Sequence, residues 1–98
     1  MMSAYVIAEV TITDPERYEQ YKPLAGASVV TNGGTYEGRG GAVESLEGEP
    51  VSGRIVILRF DSLEAARNWY NSDDYQAALP LRSASARSRV FLVEGADT

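Results

Sequence analysis

The chain has 98 residues and a formal net charge of -5, with neither cysteine nor histidine. That length makes a single domain, residues 1–98, with a modest buried fraction unless it associates, and the acidic balance excludes nucleic acid, whose phosphates need clustered Lys and Arg. Without Cys or His there is no disulfide, thiol nucleophile or imidazole base, and the usual ligands of zinc, non-haem iron and haem are missing, so neither a metal nor a cofactor is expected.

The first element, YVIAEVTIT at residues 5–13, reads as a strand whose apolar residues fall at odd and even positions alike. Both of its faces therefore seek burial, where a half-solvated strand would alternate. Asp14-Pro15-Glu16 starts a helix: Asp14 accepts from orphan N–H groups, Pro15 suits the first helical position, and Glu16 complements the positive end of the dipole. Tyr18, Tyr21, Ala25 and Val29 fall along one side of it, Pro23 and Gly26 are sites for a kink, and Asn32-Gly33-Gly34 supplies the stop. Residues 35–47, interrupted by Gly38, Gly40 and Gly41, form an outer strand or bulged hairpin, and residues 48–53 the turn into the next strand.

RIVILRF, residues 54–60, is the third strand and is as continuously apolar as the first. Ser62, or Asp61 with Glu64, opens a second helix with Leu63, Ala66 and Tyr70 as its inward stripe and Trp69 beside it. Asn71-Ser72 is a break. A third helical piece begins at Ser72 or Asp73 and aligns Tyr75, Leu79, Arg82 and Ala86 on one face, with Pro80 disturbing its middle. SRVFLVEG is the last strand, and residues 95–98 a frayed end.

The order is βαβ followed by βαβ. It predicts an α+β, ferredoxin-like βαββαβ antiparallel sheet with the helices on one face and the first and third strands at the centre. The second apolar face then needs a cover, which predicts a homodimer in which two sheets meet face to face as a dimeric α/β barrel. No apolar run approaches the ~20 residues that cross a bilayer, and no basic region precedes an apolar signal core, so no membrane partner and a cytoplasmic location are expected.

The strings YVIAEVTITDPERYEQYKP, the GG and RGG pairs around Tyr36 and Arg39, AVESLEG, SLEAARNWYNSDDYQAALPLR and FLVEG together resemble the DUF1330 family over nearly the whole chain. The resemblance implies membership of the dimeric α/β barrels, hence the same fold and dimer, and it implies no particular activity. Wider relatives of that barrel include cofactor-free monooxygenases acting on aromatic polyketides, haem-degrading enzymes, lactone isomerases and small-ligand sensor domains, which are analogies of fold.

Few residues carry obvious chemistry. Arg39, between Gly38 and Gly40-Gly41, either presents a guanidinium to a carboxylate or enolate or balances Glu37 or Glu44 on the surface. Arg82 shares a helical face with Tyr75 and Leu79, so its head enters a pocket or its stem lies over apolar surface with the head in water. Tyr18, Tyr21, Trp69, Tyr70 and Tyr75 either line a slot for a flat or apolar ligand or simply build core. Glu9, on a central strand, is a base of raised pKa if buried and otherwise a paired ion at the rim. The glycine clusters do not make a dinucleotide fingerprint, and no P-loop, EF-hand, HExxH or GxSxG pattern occurs.

Two classes of function follow. One is a cofactor-independent enzyme on a small aromatic or carbonyl-containing metabolite, with arginine stabilising an enolate-like anion and Tyr or Glu9 moving the proton. The other is a noncatalytic homodimer that binds a small molecule with the same lining. A dimer whose aromatic slot is filled by its own side chains is a third outcome.

Overall fold

A computed structural model describes residues 2–96 of the chain; of the frayed end expected at residues 95–98, residues 97–98 lie outside them, and Gly95 is not frayed but buried, its N–H donating to the Ser3 carbonyl at 2.7 Å. The elements run β1 (Ala4–Ile12), α1 (Pro15–Thr31), β2 (Thr35–Arg39), β3 (Arg54–Phe60), α2 (Leu63–Tyr70), α3 (Asp73–Ser85) and β4 (Ala86–Glu94). The sheet order is β2-β3-β1-β4 and every pairing is antiparallel, so β1 and β3 are central, as the apolar runs require. This is the α+β, ferredoxin-like arrangement.

Each helix begins where a short polar side chain satisfies an orphan N–H group. Asp14 Oδ1 accepts from the Arg17 N–H at 3.3 Å, Ser62 Oγ from Ala65 at 3.0 Å, and Ser72 Oγ from Tyr75 at 3.2 Å. Pro23 and Pro80 stand inside α1 and α3 without splitting either helix. Gly33, at φ 82°, takes the left-handed conformation that ends α1.

Two elements differ from expectation. The outer strand is five residues long, and residues 41–53 are irregular, because glycine-rich sequence offers few side chains to pack against a neighbour. Ala86 does not continue the face of α3: its φ of -160° and ψ of 155° already belong to β4, so helix passes to strand with no linker.

Strand alternation divides the sheet into two faces. Val6, Ala8 and Val10 of β1, Val56 and Leu58 of β3 and Val90 of β4 face the helices. There Ala4, Val6, Leu58 and Phe60 meet Ala25, Val29, Ala66, Trp69 and Tyr75 in one core. Tyr5, Ile7, Ile55, Ile57, Phe91 and Val93 occupy the other face, which no helix covers, and Phe91 and Val93 are 39% and 45% exposed.

Candidate functional site

A bulge in β2 shapes the site. Tyr36 pairs with Leu58 and Gly38 with Ile57, so Glu37 is the extra residue and Arg39 comes opposite Val56. In a regular strand, residues three apart point to opposite faces; the bulge returns Tyr36 and Arg39 to the same one, toward the helices. There the Arg39 guanidinium stacks on the Tyr36 ring with its carbon 4.0 Å from the centroid.

Two more arginines reach the same space. Arg54, the first residue of β3, lies 5.9 Å from the centroid of Tyr18 on α1. Arg82 of α3 donates from Nε to Tyr75 Oη at 3.2 Å, and the Tyr75 hydroxyl in turn shares a 2.8 Å hydrogen bond with that of Tyr21. All three arginines and Lys22 line one chamber between the helices and the sheet, together with Tyr18, Tyr21, Tyr36, Trp69 and Tyr75, and among the described residues no carboxylate lines it. Lys22 is matched by Glu19 at 3.0 Å. Among the described residues, Arg39, Arg54 and Arg82 have no carboxylate partner. Each is set against a phenol where a structural arginine would hold an acid. The Arg54 Nε is buried and without a hydrogen-bond partner.

Tyr18, Tyr21 and Tyr36 are held protonated. Burial pushes Tyr18 up against the pull of Arg54 and Arg82, and Tyr36 up against that of Arg39 and Arg54. Tyr21 is pushed far above the ordinary phenol range by burial and then by the facing Tyr75. Burial alone would lower Arg82, but the surrounding Tyr75, Tyr21 and Tyr70 outweigh it and hold its pKa above the usual guanidinium value. At neutral pH the chamber therefore presents fixed positive charge and neutral hydroxyl groups, a donor set suited to a carboxylate or enolate and unsuited to abstracting a proton.

The expected aromatic cluster divides. Tyr18, Tyr21 and Tyr75 line the chamber, and Trp69 closes its floor with Nε1 donating to Ser28 Oγ at 3.1 Å. Tyr70 packs on Trp69 and Tyr75, at 6.1 and 5.5 Å between ring centroids, and borders a separate groove with Arg67 and Phe91. The rings fill most of the space between them and leave a cavity of about 50 Å³. A cavity of ~150 Å³ accepts benzene, so this smaller space suits a compact ligand.

Glu9 stands apart from the chamber. It lies on the uncovered sheet face, where its Oε2 accepts from Arg89 Nη2 at 2.8 Å across the β1–β4 pair. Of the arginines reaching the chamber, sequence reasoning singles out Arg39 and Arg82 and misses Arg54, along with the Tyr36 ring. The signal for both was parity: Arg54 is in phase with Val56, Leu58 and Phe60, and the Gly38-x-Gly40-Gly41 bulge brings Tyr36 into phase with Arg39.

A family model described as Domain of unknown function (DUF1330) matches residues 3–96. No curated protein matches the chain. Among solved structures, the RPA0582 protein of unknown function from Rhodopseudomonas palustris is similar with a TM-score of 0.79 and 17% identity, over 99% of this chain and 85% of that one. SnoaB, a cofactor-independent oxygenase from Streptomyces nogalater, is similar with a TM-score of 0.64 and 13% identity, over 100% and 97% of the two chains. A dimeric ferredoxin-like protein of unknown function from Thermobifida fusca aligns with a TM-score of 0.63 and 17% identity, over 94% and 90%. At these identities the likeness is one of fold.

Proposed function

The chain belongs to the DUF1330 family, and from that premise we propose that it is a cytoplasmic homodimer whose chamber between helices and sheet binds a small organic anion, a carboxylate or the enolate of a carbonyl compound. The observation that carries this reading is the convergence of Arg39, Arg54 and Arg82 on one small space that, among the described residues, no carboxylate lines. Arg54 and Arg82 are half-buried; cations so placed without acidic partners are costly to maintain, and an anionic ligand offsets that cost, while the exposed Arg39 adds its charge to the same space. The small volume limits the ligand to a short compound. The uncovered apolar face of the sheet supports the dimer, as does the dimeric Thermobifida fusca relative in fold.

Noncatalytic binding leads because the chamber contains protonated phenols and no base. A catalytic version, in keeping with the activity named for SnoaB, rests on the hydrogen-bonded series Tyr21, Tyr75 and Arg82: the guanidinium would hold an enolate oxygen and a phenol would supply the proton. Isothermal titration with acetate and pyruvate tests the binding. We expect saturable binding that weakens at least tenfold in Arg39→Met and in Arg82→Met. Affinities unchanged in both variants, or no binding by the unaltered protein, would reject the anion site.

A further inference from the structure

Gly40, at φ 75°, follows Arg39 directly, and its N–H donates to the Ile55 carbonyl at 2.9 Å, carrying the β2–β3 ladder one residue further. Its bare α-carbon lies against the guanidinium of Arg54: a β-carbon at this position would collide with Nη1 and lie 2.8 Å from Cζ. Glycine here does two things at once. It accepts a backbone conformation that side chains resist, and it leaves the volume in which the Arg54 head rests. That head lines the chamber while its buried Nε lacks any acceptor. A buried guanidinium N–H with no partner is an unmet hydrogen bond of a charged group, the costliest kind to leave open.

Resting on the reading of the chamber as an anion site, we propose that Arg54 selects carboxylates over carboxamides by their paired acceptor oxygens, donating from Nε and one Nη to the two, and that Gly40 is the positioning residue for its guanidinium. A side chain at residue 40 displaces that head from the chamber, so the selectivity is expected to fail with Gly40 as it fails with Arg54. Lysine in place of Arg54 retains the charge and loses the two-pronged geometry.

The test is the affinity of the protein for pyruvate and for its uncharged amide, measured by titration calorimetry. The variants are Gly40→Ala, Gly48→Ala, Arg54→Lys and the double variant Gly40→Ala/Arg54→Lys. Gly48, at φ 79° with no atom within 4 Å of an added β-carbon, bears the same backbone cost without a neighbour to displace. Gly40→Ala is expected to weaken pyruvate binding at least tenfold and to erase the preference over the amide, with Gly48→Ala within twofold of the unaltered protein. Arg54→Lys shows the same loss, and adding Gly40→Ala to it costs nothing further. Equal losses in Gly40→Ala and Gly48→Ala, or an undiminished preference in Arg54→Lys, overturn the proposal and leave the anion site standing. Should Gly40→Ala not fold, the preference of Arg54→Lys decides. An unaltered protein that binds neither compound overturns both readings.

Discussion

The hydroxyls of Tyr21 and Tyr75, 54 positions apart in sequence, meet at 2.8 Å and join α1 to α3 over the chamber. Tyr75 is 1% exposed, and its oxygen also accepts from Arg82. Tyr75→Phe therefore leaves one phenol and one guanidinium donor short of a partner, at a cost of ~1–3 kcal/mol. Thermal unfolding is expected to shift down by ~4–8 °C for each kcal/mol in a domain of this size. A melting temperature within a degree of the unaltered protein would count against the bond.

Stability is expected to fall above about pH 10, the ordinary phenol pKa. Tyr18, Tyr21 and Tyr36 are all raised in the folded chain, each first by burial. In strongly alkaline solution the unfolded chain releases these protons and the folded chain keeps them. The folded state then binds more protons, and stability declines with rising pH, by at most ~1.4 kcal/mol per pH unit for each such phenol. Below that range these phenols are protonated in both states and their contribution is flat. Urea unfolding at pH 9 and pH 11 checks the sign; equal stabilities at the two would contradict the buried, protonated phenols.

Trp69→Phe and Ser28→Ala address the chamber floor. The indole N–H donates to Ser28 Oγ in a fully buried setting, and Ser28 Oγ itself donates to the Ala25 carbonyl at 2.7 Å. Ser28→Ala strands the indole donor and is expected to cost ~1–3 kcal/mol. In the Trp69→Phe background the same change should cost less, which a double-mutant cycle in chemical denaturation resolves.

Gly34 and Gly41 should respond oppositely to alanine. A β-carbon at Gly34 would stand 2.6 Å from Phe60 Cζ, whereas nothing lies within 4 Å of one at Gly41. Gly34→Ala overpacks the core, at ~1–3 kcal/mol, and Gly41→Ala stays within ~0.5 kcal/mol of neutral. Equal effects would mean that Phe60 yields freely.

For the dimer proposal, Ile7→Glu places a charge at the centre of the uncovered face, where Ile7 lies between Ile57 and Phe91. Light scattering after size exclusion should find the unaltered protein as a dimer and this variant as a monomer. A monomeric unaltered protein at micromolar concentration would sink the proposal.

The cap at Asp14, those at Ser62 and Ser72 to within one residue, and the two centrally placed strands were legible in sequence because local chemistry decides them. The chamber was only partly legible. Tyr18, Tyr21 and Tyr75 follow from helical spacing, but Glu9 could not be assigned to a face, because β1 is apolar on both sides and its period of two gives no sign of which side the helices take. Arg54 was hidden for a related reason. A charge opening a strand after an irregular segment resembles a solvated edge until pairing fixes its phase, and that phase comes from residues of β1 more than forty positions away.

The passage from α3 into β4 has a mechanical consequence. The Ser85 carbonyl accepts from the N–H groups of both Thr13 and Asp14, at 2.8 and 3.0 Å, and Ala86 enters the sheet at the next residue. The exit of β1, the start of α1 and the end of α3 are thus riveted at one point, while β2 is held by a single neighbour and followed by irregular chain. The chamber has one stiff wall and one compliant wall. A guest larger than the chamber is therefore expected to displace Tyr36, Arg39 and the segment behind them in preference to Tyr75 and Arg82.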